Sequence, residues 1–364
     1  MRVVPEHCPH RFVRFSRTTS LGSPLPVLTL PSFTFSSGVT FTDVPVAYET
    51  LGQLGAAADN AVIVCHALTG SADAASWWGP LIGPGKALDT ECYFVICLNV
   101  LGSPYGTISP ATAGPDGRRL GSRFPVPTIR DNVRLHRAAL DMLGVQGAAL
   151  ALGGSMGGMQ ALEWAFERTP EGAPYVRAIA PIAASGRHSA WCIGWSEAQR
   201  LAIYADARWQ GGDYGPNAHP DDGLAAARAM AMISYRSATA FQMRHSRAVM
   251  DDGSFSVESY LRYQGHKLVG RFDAACYVRI TQMMDTHDVS VGRGAYEAVL
   301  GSITQPALCI GVDSDVLYLP EESRELARLI PGGTYREITS PWGHDAFLIE
   351  FGQLDRYLRA WEWQ

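Results

Sequence analysis

No stretch of this sequence approaches the roughly 20 consecutive apolar residues that a membrane-spanning helix needs. It has no Asn-x-Ser/Thr sequon and no Cys-x-x-Cys pair. Its seven cysteines, at 8, 65, 92, 97, 192, 276 and 309, are scattered and odd in number, so neither a disulfide framework nor a zinc site is expected. Several lie in apolar runs, among them Val62–Cys65, Phe94–Cys97 and Ala307–Cys309, and read as buried free thiols in a reducing compartment. Positive charge is not in excess. A net charge of -5 gives no reason to expect nucleic acid or an anionic membrane as a partner. The N-terminus lacks the apolar core of a secretory signal, which favours a cytoplasmic protein. Its Arg2, Arg11, Arg14 and Arg17 against the single acid Glu6 leave mitochondrial import open. No internal repeat or low-complexity tract stands out, and no His/Glu spacing suggests a metal. Two attractive motifs fail. Gly83-Pro-Gly-Lys86 is not a phosphate loop, because Pro80 stands at the first glycine position and Ala87 where a hydroxyl must bind magnesium. His136 cannot begin an acyltransferase HxxxD, because residue 140 is leucine.

What remains is an ordinary globular composition, 47% hydrophobic and 18% charged, on 364 residues, enough for one elaborated domain or a domain with a large insertion. Residues 1–30, punctuated by Pro and Ser, are expected to form a loose arm. Two short strands are expected within Phe33–Leu51, on either side of Gly38. Buried strands follow at Ala61–Cys65 and Tyr93–Val100, then a Gly- and Pro-rich loop. Thr128 is placed to cap a helix over Ile129–Leu143, stopped by Gly144. A strand–turn–helix over Gly147–Arg168 and a strand at Val176–Ala183 complete an alternation that argues for a mainly parallel sheet with helices on both faces. From 185 to 301 strand patterns vanish and helical segments succeed one another: Ser196–Ala207, Asp221–Ser234, Ala238–Met250, Val257–Leu268 and Ala274–Met284. This reads as a helical lid inserted between the two parts of an α/β core, 31–184 and 302–364. The core resumes with a strand at Pro306–Val312, a helix at Pro320–Leu329, a strand at Thr334–Ile338, a turn at Trp342–Asp345 and a terminal helix at Ala346–Arg359.

The turn between 147 and 168 carries Gly153-x-Ser155-x-Gly157, the pattern of a nucleophile elbow. Such a turn strains the serine backbone, and side chains at the neighbouring positions would collide. A serine hydroxyl is a weak nucleophile at neutral pH. It needs a base to take its proton and an acid to hold that base. In the α/β-hydrolase fold these follow in the order Ser, Asp, His. After Ser155, Asp313 and Asp315 compete for the acid at the end of a buried strand. Asp315 is preferred, being deeper in the loop and anchored by Val316-Leu317-Tyr318. His344, on the turn after the last strand, is the base; the rival His287 precedes both acids and lies in the helical region. Donors for an oxyanion are expected from the backbone N–H of Met156 and from the loop His66–Gly70, with Leu68 as the candidate. His66 itself is better read as a structural hydrogen bonder. Trp77, Trp78 and the Trp- and Met-rich lid read as core.

The segments "VIVCHALTGSAD", "FVICLNVLGSPYGTISP", "GGSMGGMQALEWA", "DGLAAARAMAMISYRS", "HKLVGRFDAACYVRITQMMDTHDVSVGR" and "GHDAFLIEF", spread over residues 62 to 351, resemble the homoserine O-acetyltransferases. The versions "LGSPYGTISP" and "DTHDVSVGR" are similar to the fungal branch, which also includes deacetylcephalosporin C acetyltransferase. "GGSMGGMQALEWA" and "SPWGHDAFLIEF" are closer to the homoserine enzymes. The resemblance implies an α/β-hydrolase fold that transfers rather than hydrolyses, with acetyl-CoA as co-substrate, L-homoserine as acceptor, no bound cofactor and a role in methionine biosynthesis. It maps Ser155, Asp315 and His344 to the triad and Leu68 to the oxyanion loop. Arg228 and Tyr235 match positions at the acceptor's carboxylate, and Asp345 the position at its ammonium. Without the resemblance Arg228 would read as a solvated helix charge. Members commonly dimerise through the lid, so a homodimer is expected.

Overall fold

The computed structural model describes residues 25–215, 217–361 and 363. Most of the expected arm lies outside these residues. Its last part does not, because β1 (Val27–Thr34) already begins at Val27 and pairs antiparallel with β2 (Thr40–Leu51). Then come β3 (Ala61–Cys65), α1 (Ala74–Trp78), β4 (Phe94–Leu98), α2 (Ile129–Met142), β5 (Ala148–Gly154), α3 (Met156–Trp164) and β6 (Ile179–Ile182). Six helices follow: α4 (Ala190–Ala205), α5 (Asp221–Ser234), α6 (Ala238–His245), α7 (Ser256–Val269), α8 (Ala274–Asp285) and α9 (Tyr296–Gly301). The chain ends with β7 (Ala307–Val312), α10 (Pro320–Leu329), β8 (Gly333–Ile338) and α11 (Phe351–Ala360).

The strands form one eight-stranded sheet in the order β1-β2-β4-β3-β5-β6-β7-β8. From β4 to β8 every pairing is parallel; β2 joins β4 antiparallel. Every residue of β3, β4, β5, β6 and β7 is buried, as a parallel sheet covered on both faces requires. The two-residue alternation sorts them. Ala61, Ile63 and Cys65 face a core completed by α2, α3, α9 and α10, whereas Val62 and Val64 face α1 and α11. The parallel register brings the C-terminal ends of β3, β5 and β7 to one edge of the sheet. There His66, Ser155 and Asp315 lie just beyond them.

Local chemistry sets the element ends. Thr128 caps α2 in a reciprocal box: its Oγ1 accepts from Asp131 N at 2.9 Å, and its own N–H donates to Asp131 Oδ2 at 3.0 Å. Helix α4 begins six residues earlier than the apolar pattern suggests, because Ser189 caps it by accepting from Cys192 N. Helix α6 stops at His245 instead of continuing to Met250, where Ser246 turns to φ 47°. Strand β6 is shorter than expected, with Val176 making only an isolated bridge to Ala148. The expected terminal helix from Ala346 is a 3-10 turn over Gly343–Leu348 before α11 starts at Phe351. The helices of 190–285 have their own core, in which Cys192, Ile203, Leu224, Tyr277 and Met283 pack with Met156 and Met159 of α3. They therefore rest on the elbow itself. Cys65, Cys97, Cys192, Cys276 and Cys309 are buried free thiols. No helix of the described residues is long and apolar enough to cross a membrane.

Candidate active site

Ser155 sits between the last residue of β5 and the first of α3 with φ 59° and ψ -126°, a left-handed conformation that a non-glycine residue adopts only at a cost of order 1–3 kcal/mol. Its backbone N–H is tied to Ile182 O at 2.9 Å. The flanking glycines are required by close approach. A Cβ on Gly157 would lie 2.1 Å from the Cys65 carbonyl oxygen, and one on Gly153 would lie 2.3 Å from the same atom. Strand β3 and the turn thus touch backbone to backbone.

His344 Nδ1 lies 2.6 Å from Asp315 Oδ2, and both side chains are buried. The other oxygen of Asp315 accepts from Leu317 N at 2.8 Å and Tyr318 N at 3.0 Å, so its loop holds the carboxylate still. Asp313 turns elsewhere, accepting from Ser340 N at 3.0 Å. His287 directs Nε2 to the Ser185 carbonyl at 2.9 Å. The Tyr318 ring stacks on His344 at 5.2 Å and 28°, and Phe347 meets it edge-on. With Nδ1 committed to Asp315, Nε2 is the free nitrogen; it is buried and has no hydrogen-bond partner among the described residues. Burial disfavours the imidazolium most strongly. The Asp315 carboxylate, its hydrogen bond and the charge of Asp345 outweigh it, leaving the His344 pKa above its ordinary value.

Ser155, His344 and Leu68 line one cavity of about 590 Å³, together with Arg228, Tyr235 and Asp345. Met156 is the first residue of α3, where helix geometry leaves the N–H without an intrahelical partner. The loop carrying Leu68 turns at Thr69, with φ 62°. His66 is structural, as expected. Its Nε2 accepts from Val100 N at 2.9 Å and its Nδ1 donates to Ala67 O at 3.0 Å. Burial lowers its pKa to about 4, so it stays neutral. Tyr235, at the C-terminal end of α5, lies 5.8 Å from the His344 ring and 5.5 Å from the Arg228 guanidinium carbon. Burial raises the Asp345 pKa, while Arg236, His344 and Arg228 oppose the rise.

Two cationic residues went unsingled in the sequence. Arg236 pairs with Asp345 at 3.1 Å, so the carboxylate beside His344 already has one partner. Arg271, after α7, lines the cavity and donates to Thr69 O at 2.8 Å and Tyr105 Oη at 2.7 Å. Among the described residues no group of three or more His, Cys, Asp or Glu is arranged to hold a metal ion.

A serine on a strained strand–helix turn, a buried His–Asp pair and a mostly parallel sheet define an α/β-hydrolase-fold enzyme. A family model described as alpha/beta hydrolase fold matches residues 60–351. The esterase E22 L374D mutant has a similar crystal structure: TM-score 0.85 and 26% identity, over 92% of this chain and 98% of that one. Within that class the chain belongs to the homoserine O-acetyltransferase family. It is 56% identical to the homoserine O-acetyltransferase of Salinibacter ruber, over 92% of this chain and 96% of the relative. It is 51% identical to that of Nostoc punctiforme, over 91% and 94%.

Proposed function

We propose that this chain transfers the acetyl group of acetyl-CoA to the hydroxyl of L-homoserine through an acetyl-Ser155 intermediate, a step of methionine biosynthesis. One observation carries the reading. The cavity that holds Ser155 and the Asp315-paired His344 also presents the Arg228 cation and the Asp345 anion. A zwitterionic amino acid wants that pair at its two ends.

In this scheme His344 Nε2 takes the Ser155 proton as Oγ attacks the thioester carbonyl. The N–H groups of Leu68 and Met156 hold the oxyanion. Collapse breaks the C–S bond, and His344 returns the proton to the departing CoA thiolate. The homoserine hydroxyl then gives its proton to the same histidine and attacks acetyl-Ser155. O-acetylhomoserine leaves and Ser155 recovers its proton, a ping-pong cycle. Arg228, with Tyr235 beside it, holds the acceptor carboxylate, and Asp345 its ammonium. Apolar side chains exposed on the inserted helices, such as Leu201, Ile233, Met243 and Tyr263, support a homodimer through that region.

The likeness to an esterase favours one alternative, hydrolysis of the acyl-enzyme by water. CoA release from acetyl-CoA separates the two. Transfer predicts that CoA release beyond one equivalent per enzyme depends on added homoserine, and intact mass should show one acetyl group on Ser155 when the acceptor is withheld. Continued release over many turnovers without any acceptor means hydrolysis. Serine and deacetylcephalosporin C as acceptors, and succinyl-CoA as donor, complete the panel.

A further inference from the structure

Gln160 is fully buried on α3, one turn after Met156. Its carboxamide nitrogen donates to two backbone carbonyls, Met156 O at 3.2 Å and His66 O at 3.1 Å. Its oxygen accepts from Asn132 Nδ2 at 3.0 Å. The orientation is forced, because both carbonyls only accept and must face the NH2. Asn132 is oriented in turn: its oxygen accepts from Leu101 N at 2.8 Å, leaving its NH2 for Gln160 and for His136 Nδ1 at 3.5 Å. His136 Nε2 donates to Asn99 O at 3.2 Å, and Val100 N donates to His66 Nε2. The bonds close a ring through the segments that follow β3 and β4 and through α2 and α3.

The two carbonyls that Gln160 binds are not arbitrary. His66 O belongs to the peptide next to the one carrying Leu68 N–H. Met156 O belongs to the peptide next to the one carrying Met156 N–H. One side chain thus grips the backbone beside each oxyanion donor, in a dry interior where such bonds are stiff. We propose that Gln160 is a positioning residue that sets the spacing of the two oxyanion donors. This rests on the reading of Leu68 and Met156 as donors to an acyl transfer at Ser155.

The test is the single-turnover rate of Ser155 acetylation by acetyl-CoA without acceptor, followed by intact mass. Gln160→Met fills the space without hydrogen bonds. Loss of one oxyanion donor costs about 10²- to 10³-fold, so misalignment should lower the maximal rate by at least about tenfold, with the half-saturating acetyl-CoA concentration little changed. Gln160→Glu turns acceptor oxygens toward two carbonyls, and protonation restores one donor. Its deficit relative to wild type should therefore shrink as pH falls. Asn132→Asp, which does not touch the oxyanion loop, sets a carboxylate oxygen against the Gln160 oxygen, and should push the amide off its two carbonyls and slow acetylation similarly. It reads the same question if Gln160→Met fails to fold. A folded Gln160→Met, or failing that Asn132→Asp, acetylating within about twofold of wild type overturns the inference, as does a loss confined to acetyl-CoA affinity. A wild type that never forms acetyl-Ser155 overturns the acyl-enzyme reading itself, and the inference with it.

Discussion

The floor and the roof of the cavity are built differently. The floor is the C-terminal edge of the sheet, where backbone contacts and saturated hydrogen bonds leave little freedom. Gly157 touches the Cys65 carbonyl, Asp315 spends one oxygen on two N–H groups and the other on His344, and the Tyr318 and Phe347 rings pack on the imidazole. The roof comes from helices 190–285. There Arg228 is half-buried, has a tyrosine ring beside it and no carboxylate at ion-pair distance among the described residues. The floor has the rigidity that bond-making needs, because a reacting atom displaced by an ångström loses orders of magnitude in rate. The roof offers an unsatisfied charge, the form in which a site waits for a ligand. The lesson is a division of labour: changes in the floor should alter the rate of acyl transfer, and changes in the roof should alter which acceptor is bound.

The sharpest break is Ser155→Ala, which should abolish transfer, with losses on the order of 10⁶-fold in kcat by analogy with other serine nucleophiles. Near wild-type turnover would refute the floor's role. Next is Asp315→Asn, expected to cost on the order of 10⁴-fold in kcat by losing control of the histidine tautomer. It also tests the electrostatics. His344 must be neutral to act as base, and its pKa is raised, so wild-type activity should fall on acidification at a higher pH than for an ordinary histidine. Removing the Asp315 charge takes away the main opposition to desolvation and should move that limb to lower pH. A limb that stays put would assign it to another group. The smallest effect belongs to the roof. Arg228→Ala should raise the KM for homoserine by about 10- to 100-fold, the worth of a charged hydrogen bond, and leave acetylation of Ser155 by acetyl-CoA unchanged. A fall in the acetylation rate would erase the distinction between the two walls.

How much could be read in advance does not follow that divide. Helices α5 and α10 begin and end where their apolar periodicity and flanking prolines put them. Thr128 caps α2 because the capping box is written within four residues. Departures arise where a local conformation overrides periodicity, as at Ser246, or where Gly343 takes φ 70° against the chain at Arg236 and Ser237. Ser155 was legible because glycines beside a serine between strand and helix have a steric meaning in one dimension.

By itself, then, the sequence determined the strand–helix alternation, the elbow and the order Ser, Asp, His, since each depends on neighbours along the chain. Only the tertiary structure decided that Asp315 and not Asp313 reaches His344, that Arg236 already pairs with Asp345, that Arg271 grips the Thr69 carbonyl and that Gln160 donates to the carbonyls of both His66 and Met156. Gln160 lies 94 positions from His66, and Arg271 lies 202 from Thr69. A hydrogen bond is specified by ångströms and angles, which periodicity along the chain does not encode. Packing eight strands into one sheet under a helical roof creates them.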